Sequence, residues 1–237
     1  MQRRSNTVIY AIGDVHGEAR RLKKLHGHIF ERHAFSFPDH LMRLVHLGDY
    51  VDRGNDSAGV LDLLISLEAK LGENTICLQG NHEAMMLAGV KNATPTAYEY
   101  WLKNGGEQTI ESYRARGQLQ VRREHVSWLS RLPKLHVEPR RKLIFVHAGI
   151  NPETYPEHDE DIYLWTRSSR FFDVETWTNP DLEGWTVIHG HTPTADFFPD
   201  DAIASARRIN IDTGAVFGGR LTAAIFAPDQ QVQYIYA

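Results

Sequence analysis

"HLMRLVHLGDYVDRG", residues 40–54, carries an apolar strand pattern straight into a turn that packs two aspartates and an arginine between glycines. The run to Asp49 reads as a β-strand, and "DSAGVLDLLISLEAKLG" (56–72) follows with helical periodicity, Asp56 or Ser57 as N-cap and Gly72 as C-cap. Upstream stand a strand, "TVIYAIG" (7–13), and an amphipathic helix, "EARRLKKLHGHIFERH" (18–33). Downstream come a third strand, "NTICLQG" (74–80), and "HEAMMLAGV", which opens a third helix. This alternation predicts an α/β fold with a βαβαβ N-terminal half, its strands parallel and joined by right-handed crossovers. The polar turns then fall at the carboxyl ends of strands, where open α/β sheets bind ligands.

The rest of the chain is less regular. Residues 91–132 read as a polar helical insertion, with "WLKNGG" (101–106) as an interruption and Pro133 as a stop. "KLHVEPRRKLIFVHAG" (134–149) reads as two strands about a tight turn at Glu138–Arg141. A loop-rich stretch follows, then short β runs in "WTVIHGHTP", "RRINIDTGAVFGG", "RLTAAIFA" and "QVQYIY". No repeat, low-complexity segment or linker divides the sequence, so one domain over 1–237 is expected.

A chain of 237 residues, 42% hydrophobic and 24% charged, can bury a sizeable core. Its formal net charge of −4 argues against a general nucleic-acid footprint. The single cysteine, Cys77, forms no internal disulfide and sits in an apolar run, which fits a buried thiol in a reducing cytoplasm. "MQRRSN" leads into too short an apolar run for a signal peptide, and no stretch is apolar enough to span a membrane. A cytoplasmic location and no membrane partner are therefore expected.

Each polar cluster follows an apolar strand: Asp14 and His16, Asp49 and Asp52, Asn81 and His82, His147, then His189 and His191. Carboxylate, imidazole and amide oxygen together suit borderline divalent metals such as manganese, iron or zinc. The flanking glycines permit sharp turns and close backbone approach. One such cluster could be a solvated turn; five at successive strand ends point to a shared site.

"GDVHG", "GDYVDRG", "GNHE", "HAG" and "GHTP" resemble the signature blocks of the PPP-type metallophosphatases, within the calcineurin-like metallophosphoesterases. The resemblance is nearest to the bacterial and bacteriophage branch typified by lambda phosphatase. "WLKNGG", "LWTR" (164–167) and "NIDTGAVFGGRLT" (210–222) extend it, so that it runs from about residue 8 to 227. It implies a central β-sandwich of mixed sheets flanked by helices, and two divalent metal ions, manganese first and iron or zinc otherwise. Asp14, His16 and Asp49 would hold one metal; Asp49, Asn81, His147 and His191 the other, with Asp49 bridging. His82 would be the general acid and Asp52 its orienting partner, while Arg53 and Arg167 would clamp phosphate.

The activity implied is phosphomonoester hydrolysis, on phosphoserine or phosphothreonine in proteins or peptides, with phosphotyrosine and small phosphomonoesters as further candidates. Symmetrical dinucleoside tetraphosphate hydrolysis ranks second, because that subgroup as a rule has glutamine where His16 stands and often lacks an acid at position 52. A phosphodiesterase ranks lower, since Pro193 replaces the second histidine of the "GHxH" block those enzymes carry. A binding module without catalysis ranks last, because every ligand and the acid are present.

Ordinary roles are expected elsewhere. Position 191 competes with His189, which is expected to pack at the strand end. Arg167, on a shorter motif match, has a surface salt bridge as its alternative. His26, His28, His33, His40, His46, His125, His136 and His158 lack ligand-spaced neighbours and read as core or solvated histidines. Met85 and Met86 read as core, Phe171–Phe172 and Phe197–Phe198 as packing with a substrate groove as the alternative, and Arg20, Arg21, Lys23 and Lys24 as a solvated helix face.

Overall fold

The structure of the protein, a computed structural model, describes residues 6–91, 94–157, 159–200 and 207–237. Met1–Ser5, at the start of the stretch weighed as a leader, and His158 lie outside the described residues. The first half alternates as expected: β1 (Thr7–Ile12), α1 (Ala19–Ser36), β2 (Leu41–His46), α2 (Ser57–Leu71), β3 (Thr75–Cys77) and α3 (Asn81–Lys91). Asp56 caps α2 by accepting from the Gly59 N–H at 3.0 Å, and Gly72 ends it with φ +57°.

The insertion supplies α4 (Pro95–Trp101), α5 (Glu107–Arg114) and α6 (Arg123–Leu129). "WLKNGG" is less of a break than expected. Leu102–Gly106 forms a π-helical turn that joins α4 to α5, with only Gly105 outside helical geometry at φ +106°. β4 (Leu135–Glu138) and β5 (Leu143–Val146) pair antiparallel, and β6 (Thr186–His189), β7 (Arg208–Asn210), β8 (Thr222–Phe226) and β9 (Gln233–Tyr236) complete the strands described.

Two mixed sheets result, ordered β3-β2-β1-β8-β9 and β4-β5-β6-β7. β1, β2 and β3 are parallel, while β8 returns antiparallel beside β1. The period-two pattern of the strands shows how the layers stack. Val8, Tyr10 and Ile12 of β1 face a core shared with Leu22 and Leu25 of α1 and Leu61 and Leu64 of α2. Ile9 and Ala11 point the other way, against Phe145 of β5, Ile188 of β6 and Ile209 of β7. Ile144 and Val146 of β5 face a third cluster with Phe171, Trp177 and Leu182. Strands buried on both faces read as continuous apolar runs, which is the pattern of "TVIYAI" and "LIFV". No helix among the described residues is long and apolar enough to cross a membrane.

Most of the remaining histidines are structural. His26 of α1 meets His46 at the end of β2, Nε2 to Nε2 at 2.9 Å, and both are buried. One neutral ring donates and the other accepts, so protonation of the acceptor would set two N–H groups face to face. Burial pushes the pKa of His26 down to about 4, and that of His46 well below its usual value. The unfolded chain therefore takes up protons near the ordinary histidine value of about 6.5 that the fold refuses until near pH 4. Stability should be full above pH 6.5 and be lost as pH falls through that window, by about 3 kcal/mol for His26 alone at 1.36 kcal/mol per unit. The melting temperature at pH 4.5 should lie more than about 6 °C below that at pH 7. A flat profile in a calorimetric pH series would contradict this.

Candidate metal centre

The sequence blocks converge at one edge of the two sheets. Asp14 and His16 follow β1, Asp49 to Arg53 follow β2, Asn81 and His82 open α3 after β3, His147 follows β5 and His191 follows β6. The backbone there is under strain. Of the eight non-glycine residues with positive φ among those described, five are His16, Asp49, Asp52, Arg53 and His191. Such conformations cost on the order of 1–3 kcal/mol each and persist where the surroundings over-determine them. Gly80 and Gly190 permit the approach, since a Cβ at either would overlap the carboxylate of Asp49 or of Asp14.

Asp49 stands at the centre, 1% exposed, with its two oxygens facing two different groups. Oδ1 lies 3.3 Å from His147 Nε2, and Oδ2 lies 3.3 Å from His16 Nε2 and 4.0 Å from His82 Nε2. The rings are oriented from behind: His147 Nδ1–H donates to the Leu47 carbonyl at 3.1 Å, and His16 Nδ1–H to the Val51 carbonyl at 2.9 Å. Each Nε2 therefore presents a lone pair to the site. His147 Nε2, Asn81 Oδ1 and His191 Nδ1 lie 2.9 to 3.2 Å from one another.

This donor set fits divalent metal ions. Lone pairs of Asp49, Asn81 and His147 crowd at hydrogen-bond distance, an arrangement that a cation stabilises. Asp14 Oδ2 accepts from the His191 N–H at 3.0 Å, while its Oδ1 is buried with no hydrogen-bond partner. Burial, then the charges of Asp212 and Asp49, push the Asp14 pKa well up. For Asp49 burial acts upward too, but His147, His82 and His16 outweigh it and hold the pKa well down. Burial lowers His147 to about 4 and His191 to about 2, which keeps both rings neutral near neutral pH.

His82 lies among the atoms that could hold a cation, with His16 and Asp49, although the sequence reading left it out of the ligand set. Its Nδ1–H donates to Asp52 Oδ2 at 2.7 Å, both residues being essentially inaccessible. Arg53 is half-buried, and its Nη1 donates to His16 Nε2 at 2.6 Å. Arg167 is exposed, and its Nε–H donates to His191 Nε2 at 3.1 Å; among the described residues it pairs with no surface carboxylate. The two guanidinium groups thus stand at opposite ends of the cluster, one by His16 and one by His191. His189 packs edge-on against Phe171 with ring centroids 4.9 Å apart, as expected of a strand-end residue.

Sequence reasoning assigned no role to two carboxylates at the site. Glu83, fully buried, accepts from the backbone N–H groups of Asp49, Tyr50, Val51 and Gly80 at 2.7 to 3.2 Å, tying the loop after β2 to the loop after β3. Asp212 lies beside Asp14, and burial foremost raises its pKa to about 6. Its signal was available: "RINID" is an apolar strand ending in aspartate, the criterion that selected Asp14 and Asp49.

A cluster of imidazole, amide and carboxylate donors at the carboxyl edges of two facing mixed sheets defines a metallophosphoesterase. The chain belongs to the calcineurin-like phosphoesterase family, whose model matches residues 7–235. It is 28% identical over 239 residues to the bis(5'-nucleosyl)-tetraphosphatase PrpE [asymmetrical] of Halalkalibacterium halodurans, covering 91% of this chain and 88% of that relative. The protein of the same name from Geobacillus thermodenitrificans is also 28% identical, over 90% of this chain and 87% of the relative. Among solved structures, one of a candidate diadenosine tetraphosphatase superposes with a TM-score of 0.64 at 23% identity, covering 99% and 95% of the two chains. A Saccharomyces cerevisiae serine/threonine phosphatase superposes with a TM-score of 0.61 at 15% identity, over 100% of this chain and 82% of that one. At these identities the structural likeness bears on the fold alone.

Proposed function

We propose that this protein hydrolyses dinucleoside polyphosphates, cutting a tetraphosphate bridge asymmetrically into a nucleoside triphosphate and a nucleoside monophosphate. The observation that carries the substrate class is the match, 28% identical over nine-tenths of both chains, to relatives named for that activity. Dinucleoside hydrolysis thus moves from second place in the sequence reading to first, with the asymmetric mode replacing the symmetric one. The geometry agrees with an extended anionic substrate, because Arg53 and Arg167 bracket the ligand cluster and can each donate to phosphate oxygens.

Asp14, His16 and Asp49 would hold one divalent ion, and Asp49, Asn81, His147 and His191 a second, with manganese as the first candidate. Such ions supply a water ionised near neutral pH and positive charge against the phosphate. The side chains do the rest. Asp49 presents one oxygen to each half of the site, which holds the halves in register. The ring nitrogen of His82 opposite Asp52 is free to give a proton to the departing oxygen, and Asp52 keeps the other nitrogen protonated.

The His82–Asp52 pair also favours a second reading, hydrolysis of phosphoserine, phosphothreonine or phosphotyrosine in proteins. An alkoxide or phenoxide leaving group needs a proton donor more than a nucleotide phosphate does, and this pair is fully buried at 2.7 Å. Incubation with manganese and diadenosine tetraphosphate, phosphopeptide or phenyl phosphate separates the readings by chromatography of products. ATP with AMP is the expected outcome, and two equivalents of ADP would establish symmetric cleavage instead. Phosphate released from the peptide with the dinucleotide intact would overturn the proposal.

A further inference from the structure

Among its described residues the helical insertion contributes no ligand to the candidate metal cluster, yet two of its side chains close on the proton donor. Trp101, the last residue of α4, donates its indole Nε1–H to Asp52 Oδ1 at 2.9 Å. Thr109 of α5 donates its hydroxyl to the same oxygen at 2.7 Å and accepts the Asp52 backbone N–H at 2.8 Å. The other oxygen of Asp52 holds His82 Nδ1. All four side chains are buried, with Trp101, Thr109 and Asp52 at 0% exposure and His82 at 1%. Between Trp101 and Thr109, the π-helical turn brings the Gly105 carbonyl to the Arg53 N–H at 3.0 Å. A Cβ at Gly105 would press on the Arg53 backbone from 2.8 Å, so the turn fits against the site only with glycine there. π-Turns inside helices recur at functional sites.

We infer that Trp101 and Thr109 are positioning residues for the proton donor, holding Asp52 so that it fixes the orientation and tautomer of His82. This rests on the reading of His82 as the acid. A carboxylate in a dry pocket with two neutral donors on one oxygen can rotate only by breaking both bonds. The second oxygen is then locked in line with His82 Nδ1. The insertion is thus part of the proton-delivery machinery, joined to it across 49 and 57 residues of sequence.

Trp101→Phe and Thr109→Val remove one donor each at nearly constant shape. The first measurement needs no turnover: the Nδ1–H resonance of His82 in zinc-loaded protein, identified by its absence in His82→Asn. A proton held against a carboxylate gives a downfield signal, which should move upfield or exchange away in both variants. Thr109→Ser should restore it. Tyr98→Ala, which disturbs the ring packed edge-on against Trp101 at 5.8 Å, should not alter it. The second measurement compares phenyl phosphate with 2,4-dinitrophenyl phosphate, whose leaving group needs no proton. Both variants should lose about 10-fold in kcat on the former, part of the 10²–10⁴-fold range of general acid catalysis, and less than about 2-fold on the latter. An unchanged His82 resonance in Trp101→Phe and Thr109→Val would overturn the inference. Should His82→Asn itself affect both esters equally, the acid assignment fails, while the resonance still decides whether Trp101 and Thr109 position the ring.

Discussion

Replacing Asp49 by asparagine should lower turnover of dinucleotide and aryl phosphate alike on the order of 10³-fold, about 4 kcal/mol at 1.36 kcal/mol per tenfold. The substitution keeps the size and branching of the side chain. Asparagine also tolerates the left-handed backbone that Asp49 adopts at φ +51°, so the turn survives. The charge is lost, and so is the equivalence of the two oxygens. At present one faces His147 and the other His16, each at 3.3 Å. An amide offers one acceptor and one donor, and its N–H groups would oppose a cation on whichever side they face. Metal content after equilibration with manganese and dialysis should fall below two ions per chain, with the melting temperature of the metal-free protein little changed. Retention of both ions and of more than a tenth of the activity would show that Asp49 does not join the two halves.

Glu83→Ala should destabilise the protein by about 4 kcal/mol or more, because four buried backbone N–H groups lose their carboxyl acceptor and each orphaned group costs about 1–3 kcal/mol. At about 2–4 °C per kcal/mol for a chain of this size, the melting temperature should drop by roughly 8–16 °C. The effect is large for one residue because the four donors come from two loops that no ladder joins. Asp49, Tyr50 and Val51 lie after β2, and Gly80 lies after β3. The first loop carries Asp49 and the second leads straight into Asn81, so metal affinity should fall together with stability. A urea titration placing the variant within about 1 kcal/mol of the parent would mean that water satisfies these groups instead.

The candidate site residues were legible because each sits in a short block at a strand end, where local pattern and ligand type coincide. Asp14, His16, Asp49, Asn81, His147 and His191 come from such blocks; the side chains of His16, Asn81, His147 and His191 gather about Asp49, and Asp14 joins them through the His191 backbone N–H. His189 was separated from His191 by the "GHT" block, and the structure leaves it packed on Phe171. Glu83 is not legible within "GNHE", because nothing local shows that a glutamate on the first turn of a helix will turn back onto four N–H groups. Trp101 and Thr109 are hidden from local pattern for a related reason. Their partner Asp52 is 49 and 57 residues away, and no spacing rule spans that distance.

Strand and helix periodicity by itself pointed to the parallel β1–β2–β3 unit and to the strand-end position of the polar blocks, since those follow from local torsional preference; the candidate ligands came from the resemblance of those blocks to metallophosphatase signatures. Only the tertiary structure decided that β8 returns antiparallel to β1, that the second sheet packs on Ile9 and Ala11, and that the insertion grips Asp52. Those outcomes depend on which buried faces and buried donors find one another, a property of the packed chain rather than of any segment within it.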